Sequence, residues 1–327
     1  MDIRKRIEES ELRNLSKYAA KSCESKGREI YEEPDPIRTC YAIDSDRIIH
    51  SRPFRREKDK TQVFIIPTND NCMNRLTHTL EVAKIAKAIA CALNLNQTLA
   101  EAIALGHDTA HTPFGHAGER ALNDLYIGGY IHSKEAYRRL NVLCGMNLSK
   151  EVINGIVNHS GLSNHPEAIT LEGQIAPFAD KIAYLTSDAE NAIEMGIIKD
   201  IPERVKKNLG EKKGQIIDTL IGSIIETSMD QDHISMDPTI FEEMKFFKDF
   251  AYENIYFSKP LMAENDKAVH IINHLYEHYM ANPQDMLKIT DENDIARSVV
   301  DYVAGMTDHF ALNEYEKYFS IRHQFLY

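Results

Sequence analysis

A chain of 327 residues with 43% apolar side chains can build a large core, and it lies near the size at which single cores divide, so one domain with an extension or two packed domains is expected. The formal net charge of −12 excludes a broad electrostatic grip on nucleic acid or on an anionic membrane, although a local basic site can sit inside an acidic whole. Five cysteines (Cys23, Cys40, Cys72, Cys91, Cys144) are odd in number and form no C-x-x-C, which argues against a disulfide framework or a zinc ribbon and fits a cytoplasmic protein.

The opening "MDIRKRIEES" lacks the apolar run of a secretion signal, and residues 1–20 show only weak helical spacing. "EEPDP" at 32–36 breaks any helix there. "DRIIHSRPFRREKDKTQVFIIP" alternates basic and apolar residues without a clean period, so irregular structure with one short strand at 62–66 is expected. From Leu76 the apolar positions Leu76, Leu80, Ala83, Ala86, Ile89, Ala90 and Leu93 recur near every 3.6 residues. Further helical patterns follow at 98–107, 117–126, 133–144, 149–159, 172–194, 215–229, 238–256, 263–281 and 292–306, so the chain reads as all-α. The most apolar stretch, 82–105, is interrupted by Lys84, Lys87 and Glu101, and nothing is expected to span a membrane. "GEKKG" at 210–214 is the expected seam between a front core and a C-terminal extension.

Chemistry concentrates in "ALGHDTAHTPFGHAGE", residues 104–119, with three histidines and two carboxylates. His107 and Asp108 end a helix, where neighbouring side chains can meet one ion; the alternative is a simple helix cap. His78 lies early in the preceding helix and Asp180 inside a strongly apolar later one, and buried groups of this kind need partners that a shared cation would satisfy. Two histidines and two aspartates suit an octahedral divalent ion that keeps water better than a closed zinc site. His116 and Glu119, three apart on a helix, form an acid/base pair, unless Glu119 is only a helix N-terminal carboxylate. Arg75 shares a face with His78, and Asp180, Tyr184 and Asp188 form a polar stripe that should line a cavity.

His78, then His107-Asp108, then Asp180 resembles the ligand order of the HD-domain metal-dependent phosphohydrolases. The segments "RIIHSRPFRREKDKTQVF", "NRLTHTLEVAKIAKAIA", "GHDTAHTPFGHAGE", "GGYIHSKEA", "EGQIAPFADKIAYLTSDAEN" and "VVDYVAGMTDHFAL", spread over residues 44–312, are similar to the successive signatures of the dGTP triphosphohydrolase (dNTPase) family. That resemblance implies an HD-domain helical core at 46–210, an N-terminal helical or irregular segment at 1–45, and a C-terminal helical extension at 211–327 that completes the substrate pocket and makes oligomer contacts. It implies hydrolysis of a dNTP, dGTP foremost, to deoxynucleoside and inorganic triphosphate. His78, His107, Asp108 and Asp180 would hold one divalent metal ion (Mg, Mn, Fe, Ni or Zn), with additional Mg arriving on the nucleotide.

By the same resemblance, His116 protonates the leaving oxygen with Glu119 holding it, and His111 and His132 stand near the phosphates. Arg75 and Lys181 would bind phosphate, Tyr184 would lie under the sugar, Asp188 and Gln62 would reach the 3′-hydroxyl, and Tyr302 and Asp308 would lie near base or sugar. Two departures are Glu57, where an apolar residue is expected, and His309, where a larger basic or polar residue is common. Relatives form tetramers or hexamers, many with an activating nucleotide. The alternatives are another HD phosphohydrolase, such as a 5′-nucleotidase or a ppGpp hydrolase, and a nucleotide-sensing or single-stranded-DNA-binding scaffold with an inactive site.

Overall fold

In the structure, a computed structural model, residues 2–320 apart from Thr68, Leu162 and His165 are described. The order is α1 (Ile3–Asn14), α2 (Cys40–Ile49), α3 (Arg52–Arg56), α4 (Arg75–Ala92), α5 (Gln97–Gly106), α6 (Gly115–Leu125), α7 (His132–Tyr137), α8 (Lys150–Val157) and α9 (Leu171–Glu194). It continues with α10 (Glu203–Asn208), α11 (Lys213–Ser228), α12 (Pro238–Ala251), α13 (Lys259–Ala281), α14 (Ile295–Ala304) and α15 (Asp308–Phe319). Among the described residues there is no strand, and no helix is long and apolar enough to cross a membrane.

The expected strand at 62–66 is absent. That segment is a series of bends with one isolated bridge, Thr61 to Asn74, because no neighbouring extended segment offers it a ladder and Ile66 turns left-handed at φ 43°. The stretch before it, expected to be irregular, holds α2 and α3: Ser51 accepts from the Phe54 amide and Pro53 lies in the first turn, where its missing N–H costs nothing. Beyond the expected elements, α10 and α15 are also helical, the latter capped by Thr307 on the Phe310 amide. The patterns at 133–144 and 238–256 each end in a π-helical turn, Arg138–Leu143 and Tyr252–Tyr256.

Two apolar clusters organise these helices. The first runs through α4, α5, α8, α9, α11 and α12 with Val82, Ile89, Leu99, Ile103, Ile182, Leu220 and Phe247, all fully buried. Truncating one of these to alanine costs about 2–5 kcal/mol, enough to unsettle a domain held by about 5–15. The second joins α6 to α13, α14 and α15 through Leu122, Ile272, Leu275, Val299, Val303 and Ala311. Close approach of α5 and α8 rests on glycine: a Cβ at Gly155 would meet Ile103 Cδ1 at 2.4 Å, and one at Gly106 would meet Ile156 Cδ1 at 2.4 Å. The side chains that end these two helices thereby come close together.

Candidate metal centre and active site

Asn74 caps α4 through the Thr77 amide and sets Arg75 and His78 on its first turn, both buried. His107 follows the last residue of α5 and donates from Nδ1 to the Ala104 carbonyl at 2.6 Å, so Nε2 carries the lone pair. That buried Nε2 has no hydrogen-bond partner and lies 3.4 Å from Asp108 Oδ2 and 3.8 Å from Asp180 Oδ1. His78 Nε2 completes the group at 3.1 Å from Asp180 Oδ1 and 3.8 Å from Asp108 Oδ2. The ligand atoms of His78, His107 and Asp108 all lie within 4.8 Å of one another. An orphaned imidazole lone pair facing two carboxylates fits a divalent cation better than any arrangement of protons. Burial raises the Asp108 carboxyl, but His107, Arg75 and His78 outweigh it and hold the group far below the usual range, as a ligand requires.

The other oxygen of Asp108 faces a second set. Oδ1 lies 3.5 Å from His111 Nε2 and 3.9 Å from both His132 Nε2 and His159 Nε2. Glu119 orients this side: its Oε2 accepts from His116 Nδ1 at 2.8 Å, and its Oε1 accepts from the His132 amide and from His132 Nδ1, each at 2.8 Å. Burial pushes the Glu119 carboxyl up, yet the hydrogen bonds from His116 and His132 leave it well below the carboxylate range, so it is an anion that aims two imidazoles. His111 stacks on His132 with ring centres 3.8 Å apart. His116 alone of this set is open, with 64% of its side chain exposed, so it can meet a molecule arriving from solvent.

The sequence reading missed His159. It donates from Nδ1 to the Ile156 carbonyl at 2.6 Å, just as His107 does to Ala104, and its Nε2 stands 3.2 Å from His132 Nε2. Both Nδ1 atoms donate elsewhere, so the two facing nitrogens are placed to share one proton or one cation. Asp108, His132 and His159 are therefore a further group able to hold a cation. The available signal was the repeated pattern of a histidine placed just past the end of an apolar helix.

The other expected residues divide. Lys181 Nζ sits 3.1 Å from Asp180 Oδ2, beside the first ligand set. Tyr184 is half-buried, and Asp188 accepts from the Tyr256 hydroxyl at 2.7 Å while its Oδ1 is buried without a partner. Burial pushes Asp188 up to about 7. Gln62 is half-buried with an unpartnered Oε1. Arg75 is turned inward: its guanidinium bonds Asp108 and donates to the Thr61 carbonyl at 2.9 Å, so it braces Asp108. Tyr302 packs on Tyr279 at 5.0 Å between ring centres, in the second apolar cluster. Asp308 is buried on the backbone of Thr61 and Phe114.

The two departures also find their places. Glu57 is fully buried; burial, then Asp108, push its carboxyl far up, and a neutral acid stands in for the apolar side chain expected there. His309 Nδ1 donates to Asp59 Oδ1 at 2.5 Å.

The loop between the two sides takes an unusual path. Phe114 has φ 60° and Gly115 φ 56°, two successive left-handed residues. At a non-glycine residue this costs about 1–2 kcal/mol and persists only where the surroundings impose it. A Cβ at Gly118 would lie 2.1 Å from the Pro113 carbonyl oxygen, so the turn admits only glycine there.

Residues 75–185 match the HD domain family, and residues 234–317 match the phosphohydrolase-associated domain. Proteins named deoxyguanosinetriphosphate triphosphohydrolase-like are 44% identical to this chain in Caldanaerobacter subterraneus subsp. tengcongensis, over 98% of this chain and 96% of the relative, and 44% identical in Clostridium perfringens strain 13, over 97% of each. One from Desulfatibacillum aliphaticivorans is 39% identical over 98% of each. A hypothetical protein from Aquifex aeolicus of known crystal structure is similar in fold, with TM-score 0.50 and 19% identity over 86% of this chain and 72% of that one.

Proposed function

We infer the activity from one premise: this chain belongs to the deoxyguanosinetriphosphate triphosphohydrolase-like family of HD-domain proteins, and is a phosphohydrolase. The reaction is hydrolysis of a dNTP, dGTP foremost, to deoxynucleoside and inorganic triphosphate. The observation that carries it is Asp108, whose two oxygens join a buried set of metal-ligating groups to a set of histidines aimed by Glu119. His78, His107, Asp108 and Asp180 would hold a divalent ion, which would supply Lewis-acid polarisation of a phosphoryl oxygen and ease ionisation of the attacking water.

The chain's own groups do the rest. Water oxygen joins the α-phosphorus, giving up its proton to solvent, and the bond from that phosphorus to O5′ breaks. His116, exposed and held by Glu119, delivers a proton to O5′ and takes one back from solvent. Lys181, beside Asp180, neutralises phosphate charge, and His111 and His132 stand near the phosphates. Asp188 Oδ1, without a partner, accepts from the 3′-hydroxyl, the Gln62 side-chain amide reaches the same group by donating to its oxygen, and Tyr184 underlies the sugar where a 2′-hydroxyl would clash. Assembly into a homo-oligomer and activation by a second nucleotide belong to the same reading.

The test is to incubate the protein with each dNTP, singly and in pairs, with Mg²⁺ or Mn²⁺, and to separate the products. Equimolar deoxynucleoside and triphosphate are expected. Orthophosphate from a dNMP or pyrophosphate from ppGpp, with every dNTP left intact, would assign the site to a different phosphohydrolase.

A further inference from the structure

Asp308 begins α15 in the C-terminal region, yet its carboxylate is 3% exposed and fully engaged with two segments of the candidate active site. Oδ2 accepts from the Thr61 amide at 2.9 Å and from Thr61 Oγ1 at 2.5 Å, and Oδ1 accepts from the Phe114 amide at 2.8 Å. From Thr61 the line continues: its carbonyl accepts from Arg75 Nη2, and Arg75 Nη1 holds Asp108. From Phe114 it reaches the left-handed pair Phe114-Gly115, after which His116 is the second residue of α6.

The same seam carries other bonds. Lys60 Nζ, buried, donates to the carbonyls of His111 and Ala304, and Arg56 Nη1 donates to the Gly305 carbonyl at 2.6 Å. Residues 56–61 are thus laced to 304–309 and to the histidine turn at once. A carboxylate with three donors in a buried place has no lone pair directed at solvent, so it is built to hold backbone and not to receive a ligand.

We propose that Asp308 is a positioning residue, through which the C-terminal segment sets both the Arg75 brace on Asp108 and the turn that aims His116. This rests on the activity inferred above. It predicts that loss of Asp308 lowers turnover while leaving substrate affinity nearly intact, since none of its atoms would touch substrate. The scale is that of groups that orient an active centre without belonging to it, about 10- to 100-fold.

The experiment compares the parent with Asp308→Asn, which places an N–H against the Thr61 donors, and with the milder Thr61→Val, which removes only the hydroxyl bond. Hydrogen exchange over residues 111–118 reads the positioning directly and needs no substrate. In Asp308→Asn the Phe114 amide keeps only a neutral acceptor, on a side chain displaced by the N–H against Thr61, and should lose about 10-fold of its protection, as exchange of a charge-assisted for a neutral bond implies, while α13 stays protected. With the best dNTP, kcat should fall 10- to 100-fold with KM within about threefold, and Thr61→Val should move the same way by less. In a His116→Ala background the cost of Asp308→Asn should shrink severalfold, because part of it acts through that histidine. Unchanged protection at 111–118 would overturn the proposal, and so would a KM rise with kcat intact, which would place Asp308 on the substrate. If the parent turns over no dNTP, the activity fails while the exchange result still decides the positioning claim; if Asp308→Asn does not fold, Thr61→Val decides it.

Discussion

The two oxygens of Asp108 look out on two neighbourhoods built in different ways. On the Oδ2 side, His78, His107 and Asp180 come from α4, the end of α5 and α9, three helices that share one apolar cluster. On the Oδ1 side, His111 and His116 come from a turn with two left-handed residues, held from outside by Asp308 and Lys60 and backed by the second cluster through Phe114. The ligand-holding half inherits its rigidity from helix packing. The half that carries His111 and His116 is held instead by bonds from the far end of the chain and from Lys60.

Variants can break this comparison. Asp108→Asn strikes both sides at once, and triphosphate release should fall at least about a thousandfold together with bound metal, the scale of several kcal/mol that such an ion supplies. Steady-state kinetics with metal analysis of the purified protein checks it; retained metal would show that Asp108 is not a ligand. His116→Ala should separate the halves, with kcat lowered about a hundredfold while metal content matches the parent. If metal and activity were lost together, the two sides would not be independent.

A third variant addresses the helical half alone. Glu172, in the first turn of α9, accepts from the Asn96 amide at 2.8 Å and the Ala20 amide at 3.1 Å, and burial raises its carboxyl from 4.5 to about 7. A carboxyl whose folded value is raised adds stability that is fully present below about 4.5 and lost as pH climbs through about 7. Glu172→Gln keeps an acceptor for both amides and never ionises. Its stability relative to the parent should therefore grow by up to about 3 kcal/mol between pH 4.5 and 8 in urea unfolding. A pH-independent difference would show that Glu172 does not titrate in this way. The smallest effect belongs to the pocket: Tyr256→Phe removes the donor to Asp188 and should raise KM for a dNTP about two- to tenfold, with no such change for a 2′,3′-dideoxynucleotide. An equal change for both substrates would deny Tyr256–Asp188 a part in reading the 3′-hydroxyl.

The same contrast explains what the sequence discloses. The helical half was legible because apolar spacing marks α4, α5 and α9, and a His or Asp on such a face demands a partner. The resemblance to a known family then named the rest. The turn-borne half was only partly legible. Its histidines stand out, but Thr61, Lys60 and Asp308 act through bonds that span from 51 to 247 positions of chain, which no local pattern announces. Asp308 was expected near base or sugar, whereas in the structure its oxygens are spent on Thr61 and Phe114. His159 and Tyr256 escaped notice because each looks, in sequence, like an ordinary residue at the end of an apolar helix. The short strand at 62–66 failed for the converse reason: an apolar run reads as a strand only where another strand exists to pair with it.

The most direct test of the whole account is turnover in water enriched in ¹⁸O, with the products read by ³¹P NMR and mass spectrometry. Attack at the α-phosphorus, with His116 protonating O5′, predicts one ¹⁸O per turnover in the terminal phosphate of inorganic triphosphate and none in the deoxynucleoside. Label in the 5′-hydroxyl, or release of orthophosphate or pyrophosphate in place of triphosphate, would contradict it.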